Sequence, residues 1–319
     1  MKIRYVLPLI LVAGCSGLQA PSVQGGTGAQ AQLTSLLPTQ WDAETEAATG
    51  EVSGTAPTPS AHVILIVEEN HSFSAVYPYG MPWLSALGDL YGIATNYWSD
   101  EPGSLLDYLW LSSGSGEHAF GCGGWGCPRM VTDDNVFREL DKNGLSWKVY
   151  ADSLPYAGYM GMQSGEYVKR HNPAPWYSDV AYDAAKRKNM VPFTEFAKDL
   201  AARRLPDCSL IVPNLLHDAH DGTLRMADLW LEQYISPLLL SPYFKVGGHG
   251  VMFITFDHGN GDHQGQVFAA VIGQDVIRGV KVNRAFRHEN TLRTMMGLLG
   301  LKHFPGASAE AAPMSEFFK

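Results

Sequence analysis

The stretch HVILIVEENH, at residues 62–71, is the clearest indication of the fold in this sequence. Its run from residue 62 to residue 67 is almost wholly apolar, and it stops at two carboxylates, an amide and an imidazole. A continuous apolar run is typical of a strand that is buried on both faces of a sheet. Five similar runs follow, at residues 92–97, 146–150, 209–212, 251–256 and 267–272.

Helical patterns lie between these runs. They cover residues 105–113, 135–142, 192–204, 223–240 and 290–299. Strands that alternate with helices predict an α/β domain with a mostly parallel central sheet and helices on both faces.

The composition limits the classes of function. Lys and Arg number 23 and Asp and Glu number 32 among 319 residues, which gives a net charge of −9. Nucleic acid is not expected as a partner, since neutralising phosphates requires a clustered excess of basic residues. No Lys or Arg lies between Arg4 and Arg129. An anionic substrate near that stretch would need positive charge from another source, and a metal ion is the expected one.

The N-terminus predicts export. Residues 1–15 have a basic start and a short apolar run that is roughly half of the ~20 residues a membrane span requires, so they resemble a signal peptide. Small residues directly before Cys15 resemble a bacterial lipobox, in which that cysteine is lipidated; an ordinary secretory signal is the alternative. The polar residues 16–60 predict a flexible linker, and residues 61–319 a single domain in the cell envelope.

Export permits disulfide bonds. Cys122 and Cys127 flank a Gly-rich loop and are close enough in sequence to bridge, which would leave Cys208 as a free, buried thiol. A metal site at Cys122 and Cys127 is the alternative, although an oxidising compartment favours the disulfide.

Polar residues follow four of the predicted strands. Ligands of open α/β sheets bind outside the carboxyl ends of the strands, so these side chains should meet at one edge. Their oxygen and nitrogen atoms suit Zn²⁺, Mn²⁺ or a similar divalent ion. The candidates are Glu69 and Asn70, then Ser104, then His217, Asp218 and His220, and finally Asp257 and His258.

Five motifs carry a resemblance to a known family. They are VEENHSF at 67–73, SLLDYL at 104–109, LPDCSLIVPNLLHDAHD at 205–221, FITFDHG at 253–259 and HENTLRT at 288–294. Together they resemble the phosphoesterase family of acid phosphatases and phosphatidylcholine-type phospholipases C, a branch of the alkaline-phosphatase-like superfamily. The resemblance implies an alkaline-phosphatase-like fold and a phosphoric ester hydrolase.

The resemblance also implies roles for residues. Glu69, Asn70, Ser104, Asp257 and His258 would bind a divalent metal ion, which could be Zn²⁺, Mn²⁺, Mg²⁺ or Ca²⁺. Ser104 would be the nucleophile, at a helix start where backbone N–H groups favour anions. Asp218 and His220 would hold the phosphate or protonate the leaving alcohol, whereas His263 and His288 are weaker candidates.

The sequence departs from the family pattern at three places. The family usually has Asp-Glu where this chain has Asp257 and His258, and it has a histidine before the serine that is missing here. Asp107 stands in place of an asparagine, and an ionised carboxylate there is expected to repel a phosphate.

Structural interpretations compete with these roles. Glu69 and Asn70 could cap a helix, Asp257 and His258 could form a turn, and Ser104 with Asp107 fits a capping box.

Taken together, the motifs predict metal-dependent hydrolysis of phosphate monoesters by Ser104. The substrate would be a small molecule or a phospholipid, and a lipid anchor would hold the protein at the membrane. The alternatives are a phosphodiesterase of the phospholipase C type and a non-catalytic binding lipoprotein on the same scaffold.

Overall fold

The computed structural model describes residues 62–259 and 265–319. The predicted signal peptide with Cys15, the linker at 16–60 and the candidate His263 lie outside the described residues and stay predictions.

A central sheet of eight strands organises the described residues, in the order β10-β2-β9-β8-β1-β7-β3-β6. A separate two-stranded sheet pairs β4 with β5. The strands are β1 (His62–Glu68), β2 (Gly92–Ala94), β3 (Trp147–Ala151), β4 (Gln163–Ser164), β5 (Tyr167–Val168), β6 (Met190–Pro192), β7 (Cys208–Val212), β8 (Gly250–Phe256), β9 (Ala269–Gly273) and β10 (Val280–Val282).

Most of the sheet is parallel. Strand β1 runs parallel to both of its neighbours, β7 and β8, and β3 continues the parallel pairing to β6. Only β9 is antiparallel to its neighbours, β2 and β8. In the middle strands every residue of β7 and β8 is buried, as expected for a sheet covered on both faces.

Helices surround the sheet. Helix α9 packs against α3, and α2 packs against α8. The helices are α1 (Phe73–Val76), α2 (Pro82–Leu90), α3 (Ser104–Ser113), α4 (Val136–Lys142), α5 (Ser178–Ala181), α6 (Ala184–Arg187), α7 (Thr194–Ala201), α8 (Leu224–Leu239) and α9 (His288–Leu298). This arrangement confirms the predicted α/β class with a mostly parallel sheet.

The element boundaries differ modestly from the predicted ones. Strand β2 ends at Ala94, three residues early, because Tyr97 and Trp98 form isolated bridges to Phe286 and Gln266. Strands β6 and β10 have three residues each and were not predicted from the sequence. Within the described ranges, no helix has the length and apolar character needed to cross a bilayer.

The three cysteines of the described residues are as predicted. Cys122 and Cys127 form a disulfide, and Cys208 is a buried free thiol at the start of β7. The disulfide closes a loop that packs on the first turn of α3, where the Leu105 N–H donates to the Gly124 carbonyl over 3.3 Å.

Candidate active site at the carboxyl edge of the sheet

Two carboxylates leave the sheet side by side. Strands β1 and β8 are parallel and in register, with Glu68 opposite Phe256, so the next residues, Glu69 and Asp257, emerge together. The backbone N–H of Asn70 donates to Asp257 Oδ1 over 2.8 Å. Asn70 has a positive φ of 59°, a conformation that asparagine tolerates better than most residues. The hydrogen bond from Asn70 to Asp257 links the turn after β1 to the end of β8.

Ser104 joins these carboxylates. It is the first residue of α3, and its Oγ donates to Glu69 Oε2 over 2.8 Å. The capping box considered from the sequence does not form, because Asp107 Oδ1 accepts instead from the backbone N–H groups of Asp100 and Glu101. The serine hydroxyl is therefore directed at the site and not at its own helix.

A cation would stabilise the buried carboxylates of Glu69 and Asp257. Glu69 and Asp257 are both 0% exposed, and Glu69 Oε1 and Asp257 Oδ2 have no hydrogen-bond partner. Burial, followed by the charges of Asp257 and Asp218, raises the pKa of Glu69 well above its ordinary value. Buried carboxylates at this proximity are costly unless a positive charge pairs with them. The oxygen donors present thus fit a divalent metal ion.

His258 lies beside the same carboxylate. Its Nε2 is 3.3 Å from Asp257 Oδ2, and its Nδ1 is 3.1 Å from the Gly259 carbonyl oxygen. An imidazole whose Nδ1–H donates to a carbonyl presents Nε2 as a lone pair, which is the form that binds metal. All five predicted metal-binding residues therefore lie at the carboxyl ends of β1 and β8 or at the start of α3.

Asp218 organises the loop after β7. Its backbone carbonyl accepts from the Glu69 N–H over 2.8 Å, and its Oδ1 accepts from the His220 N–H over 2.8 Å. Asp218 is fully buried, and burial raises its pKa well above the ordinary value. In this position Asp218 holds the neighbouring backbone of Glu69 and His220.

His171 is a site residue that the sequence did not indicate. Its ring is 1% exposed, with Nδ1 3.0 Å from Asp218 Oδ2 and Nε2 3.3 Å from Glu69 Oε1. Burial lowers its pKa well below the ordinary value, so the ring is neutral and Nδ1–H donates to Asp218. Nε2 then faces Glu69 as a lone pair without a hydrogen bond. A metal-ligating histidine usually donates one ring N–H to a carboxylate and keeps the other ring nitrogen open for the metal, and His171 has this arrangement.

His220 lies next to His171. One ring nitrogen of each histidine and one carboxylate oxygen of Glu69 lie within 4.8 Å of one another. His220 Nδ1 is 2.7 Å from Asp221 Oδ1, and its Nε2 accepts from Arg170 Nη2 over 3.2 Å. The third histidine of this region, His217, instead contacts Asp152 over 2.7 Å.

The structure changes the interpretation of Asp107. This residue is 0% exposed and lies 3.4 Å from His288 Nε2. Burial lowers the pKa of His288, but the hydrogen bond and charge of Asp107, with the charge of Asp100, outweigh it and raise the pKa to about 9. A protonated His288 thus neutralises Asp107. The expected repulsion of a phosphate is weakened for this reason, and His288 is no mere helix cap.

Comparison with known proteins identifies the family. The sequence model of the Phosphoesterase family matches residues 78–302, which is most of the chain. The matched range contains Ser104, Asp218, His220 and Asp257, whereas Glu69 lies before it.

Relatives come from fungi and bacteria. A probable acid phosphatase of Kluyveromyces lactis is 26% identical over 314 residues, covering 92% of this chain and 73% of the relative. A phosphatidylinositol-3-phosphatase of Mycobacterium tuberculosis is 27% identical over 260 residues, covering 81% of this chain and 83% of the relative. A phosphate-repressible acid phosphatase of Penicillium chrysogenum is 28% identical over 219 residues, and the match spans about half (52%) of that relative.

Solved structures support the fold. A protein of the alkaline phosphatase superfamily from Vibrio parahaemolyticus superposes with a TM-score of 0.54 at 13% identity, covering 77% of this chain and 69% of that one. A putative sulfatase from Bacteroides thetaiotaomicron gives 0.55 at 11% identity, covering 82% and 74%. The fold is that of the alkaline phosphatase superfamily, and the chain belongs to the Phosphoesterase family and is a hydrolase of phosphate esters.

Proposed function

We propose that this protein is a metal-dependent phosphomonoesterase in which Ser104 is the nucleophile. The observation that carries the proposal is the convergence of Ser104 Oγ and the two buried carboxylates of Glu69 and Asp257 at one edge of the sheet. The relatives include acid phosphatases and a phosphatidylinositol-3-phosphatase. Their names support the choice of monoesters over diesters as the substrates of this protein.

The metal-binding residues are Glu69, Asn70, Ser104, Asp257 and His258, with His171 as an additional ligand from the opposite side of Glu69. When bound, a divalent ion neutralises the carboxylates, polarises the phosphoryl group and favours the ionised serine. This charge is needed because the groups around Ser104 are mainly acidic.

The chain's own residues set the course of the reaction. Ser104 Oγ attacks phosphorus, the bond from phosphorus to the alcohol oxygen breaks, and a phosphoserine ester forms. Water then hydrolyses that ester and releases phosphate. The N-terminal end of this ten-residue helix carries a positive partial charge, which favours the phosphoryl oxygens bound at Ser104.

His220 provides the proton for the leaving alcohol. As placed, its Nε2 accepts from Arg170 and has no proton to give. In the imidazolium form, Nδ1–H donates to Asp221 and Nε2–H becomes available once Arg170 moves away. Asp218 supports this step by fixing the His220 backbone.

The proposed location is the outer side of a bacterial membrane, with Cys15 lipidated. The signal-like sequence at residues 1–15 supports export, and the disulfide of Cys122 and Cys127 is consistent with an oxidising compartment. Growth with a labelled fatty acid should label the native protein but not Cys15→Ala. Equal labelling of both proteins would refute the anchor.

The decisive test of the chemistry is Ser104→Ala. Turnover of p-nitrophenyl phosphate should fall by at least 10³-fold, a typical scale for loss of a nucleophile, while metal content measured by mass spectrometry is largely retained. Bis-p-nitrophenyl phosphate should be a poor substrate for the native enzyme.

A second serine on the same helix provides the control. Ser112 is buried like Ser104, but its Oγ donates to the Tyr108 carbonyl, away from the site. Ser112→Ala should keep its turnover. If Ser104→Ala retains full activity, Ser104 is not the nucleophile, and a native protein without activity toward any ester would favour the binding lipoprotein.

A further inference from the structure

Arg170 introduces a positive charge at the rim of the site. It lies in the 3₁₀ helix Lys169–His171, which is one turn long, directly before the histidine that contacts Glu69 and Asp218. Its Nη2 donates to His220 Nε2 over 3.2 Å. The sequence did not indicate this arginine, because it lies far from any predicted strand end.

The charge of Arg170 is available to a ligand. Among the described residues, Arg170 forms no ion pair with a carboxylate, and its contacts are the ring of His220 and an indole. A guanidinium is always charged and offers five N–H donors in a planar fork that matches carboxylate and phosphate groups. Only one of these donors is occupied by His220.

Trp125 contacts the guanidinium of Arg170. The Arg170 Cζ lies 4.6 Å from the centroid of the Trp125 ring, within the range of a cation–π contact. Trp125 is 75% exposed, which is unusual for so large an apolar side chain. It lies in the loop closed by Cys122 and Cys127, and that loop packs against the start of α3 through Gly103 and Gly124.

The position of Arg170 relative to Ser104 determines what it can bind. His220 lies between Arg170 and Glu69, since a His220 nitrogen is within 4.8 Å of a Glu69 oxygen. In the proposed reaction the phosphoryl group is transferred to Ser104, and His220, which Arg170 contacts, protonates the leaving alcohol. On that proposal Arg170 is on the side of the leaving alcohol.

We propose that Arg170 and Trp125 form a subsite for an anionic group on the leaving alcohol. The substrate class is then a phosphate monoester whose alcohol bears a second phosphate or a comparable anion. This inference rests on the proposed function and goes beyond it by assigning specificity to two residues outside the catalytic centre.

A matched pair of substrates tests the subsite. Propane-1,3-diol bisphosphate and propane-1,3-diol monophosphate share the ester that is cleaved and differ in the second phosphate. The native enzyme should have a kcat/KM at least tenfold higher for the bisphosphate, the scale of one hydrogen bond between charged groups.

Variants locate the effect. Arg170→Gln should abolish the preference, whatever happens to the absolute rates, while Arg170→Lys should retain part of it. Trp125→Ala should reduce the preference and Trp125→Phe should preserve most of it. Lys302→Gln removes the same charge at an exposed residue beyond the end of α9 and should leave the preference unchanged.

Binding separates this inference from the proposed function. In Ser104→Ala protein, calorimetry should show tighter binding of the bisphosphate than of the monophosphate, and adding Arg170→Gln should equalise the two. Active enzyme with equal kcat/KM for both substrates overturns the subsite alone. A fall of kcat/KM by the same factor for both substrates in Arg170→Gln also overturns the subsite, since Arg170 would then contact the transferred phosphate. Inactive protein that still shows the binding difference overturns the proposed function alone.

Discussion

At the scale of single residues, the effect of a buried carboxylate depends on the partner that the fold gives it. Asp107 illustrates this best, because the sequence alone suggests a carboxylate that would repel substrate. The fold places it against His288, which begins α9 almost two hundred residues later in the chain. No local pattern contains such a pairing, so the sequence predicted the residue but not its electrostatic effect.

The pair of Asp107 and His288 makes stability depend on pH. The pKa of His288 is raised to about 9 from an ordinary value of 6.5, so the pair stabilises the fold fully below about pH 6.5 and progressively less up to about pH 9. The loss is on the order of 3 kcal/mol at most. Thermal unfolding of chelator-treated protein should show Tm falling over this window, and His288→Gln should flatten the slope. An unchanged slope in His288→Gln would show that other groups titrate there.

His171 makes a second prediction at this scale. Its Nε2 faces Glu69 Oε1, and Asp218 orients its ring, so His171→Asn should weaken metal binding by 10- to 100-fold, the usual effect of disturbing a ligand or its support. Metal titration followed by calorimetry measures this. His217→Asn is the matched control, because His217 contacts Asp152 instead, and it should bind metal normally. Equal affinity in both variants would exclude His171 as a ligand.

At the scale of elements, parallel strands explain why distant motifs meet. The apolar runs of β1, β7 and β8 were long enough to be recognised, and their carboxyl ends bring Glu69, Asp218 and Asp257 together. His171 and Arg170 escaped prediction because a 3₁₀ turn has no periodic signal. Strands β6 and β10 escaped because three residues are too few for a pattern.

The disulfide-closed loop is expected to position the nucleophile. Gly103 precedes Ser104 with a φ of +124°, and a Cβ there would lie 2.8 Å from the Gly124 Cα. Gly103→Ala should therefore destabilise the fold by about 1–3 kcal/mol through crowding, and lower kcat by tenfold or more because Ser104 shifts.

A neighbouring glycine gives the comparison. A Cβ on Gly123, in the same loop, would meet nothing within 4 Å, so Gly123→Ala should leave both Tm and kcat nearly unchanged. If Gly103→Ala behaves like Gly123→Ala, the contact between loop and helix does not position Ser104.

At the scale of the whole molecule, the metal ion proposed to bind the buried carboxylates would stabilise the fold as well as support the chemistry. A metal ion that binds only the native state stabilises that state by about 2.7 kcal/mol when its concentration is 100 times the Kd. Treatment with a chelator should therefore lower Tm and abolish turnover together, and one of Zn²⁺, Mn²⁺, Mg²⁺ or Ca²⁺ should restore both. Glu69→Gln should lose this response. Full turnover and an unchanged Tm after exhaustive chelation would refute the metal requirement.

The most direct measurement is the identification of the phosphorylated residue during turnover. Native protein mixed with p-nitrophenyl phosphate and quenched in acid within milliseconds should carry one phosphoryl group, and peptide mass spectrometry should place it on Ser104. The signal should vanish after chelation and in Ser104→Ala. Steady turnover with the phosphoryl group on another residue would contradict the account, because Ser104 and the carboxylates of Glu69 and Asp257 would then not form the reactive centre.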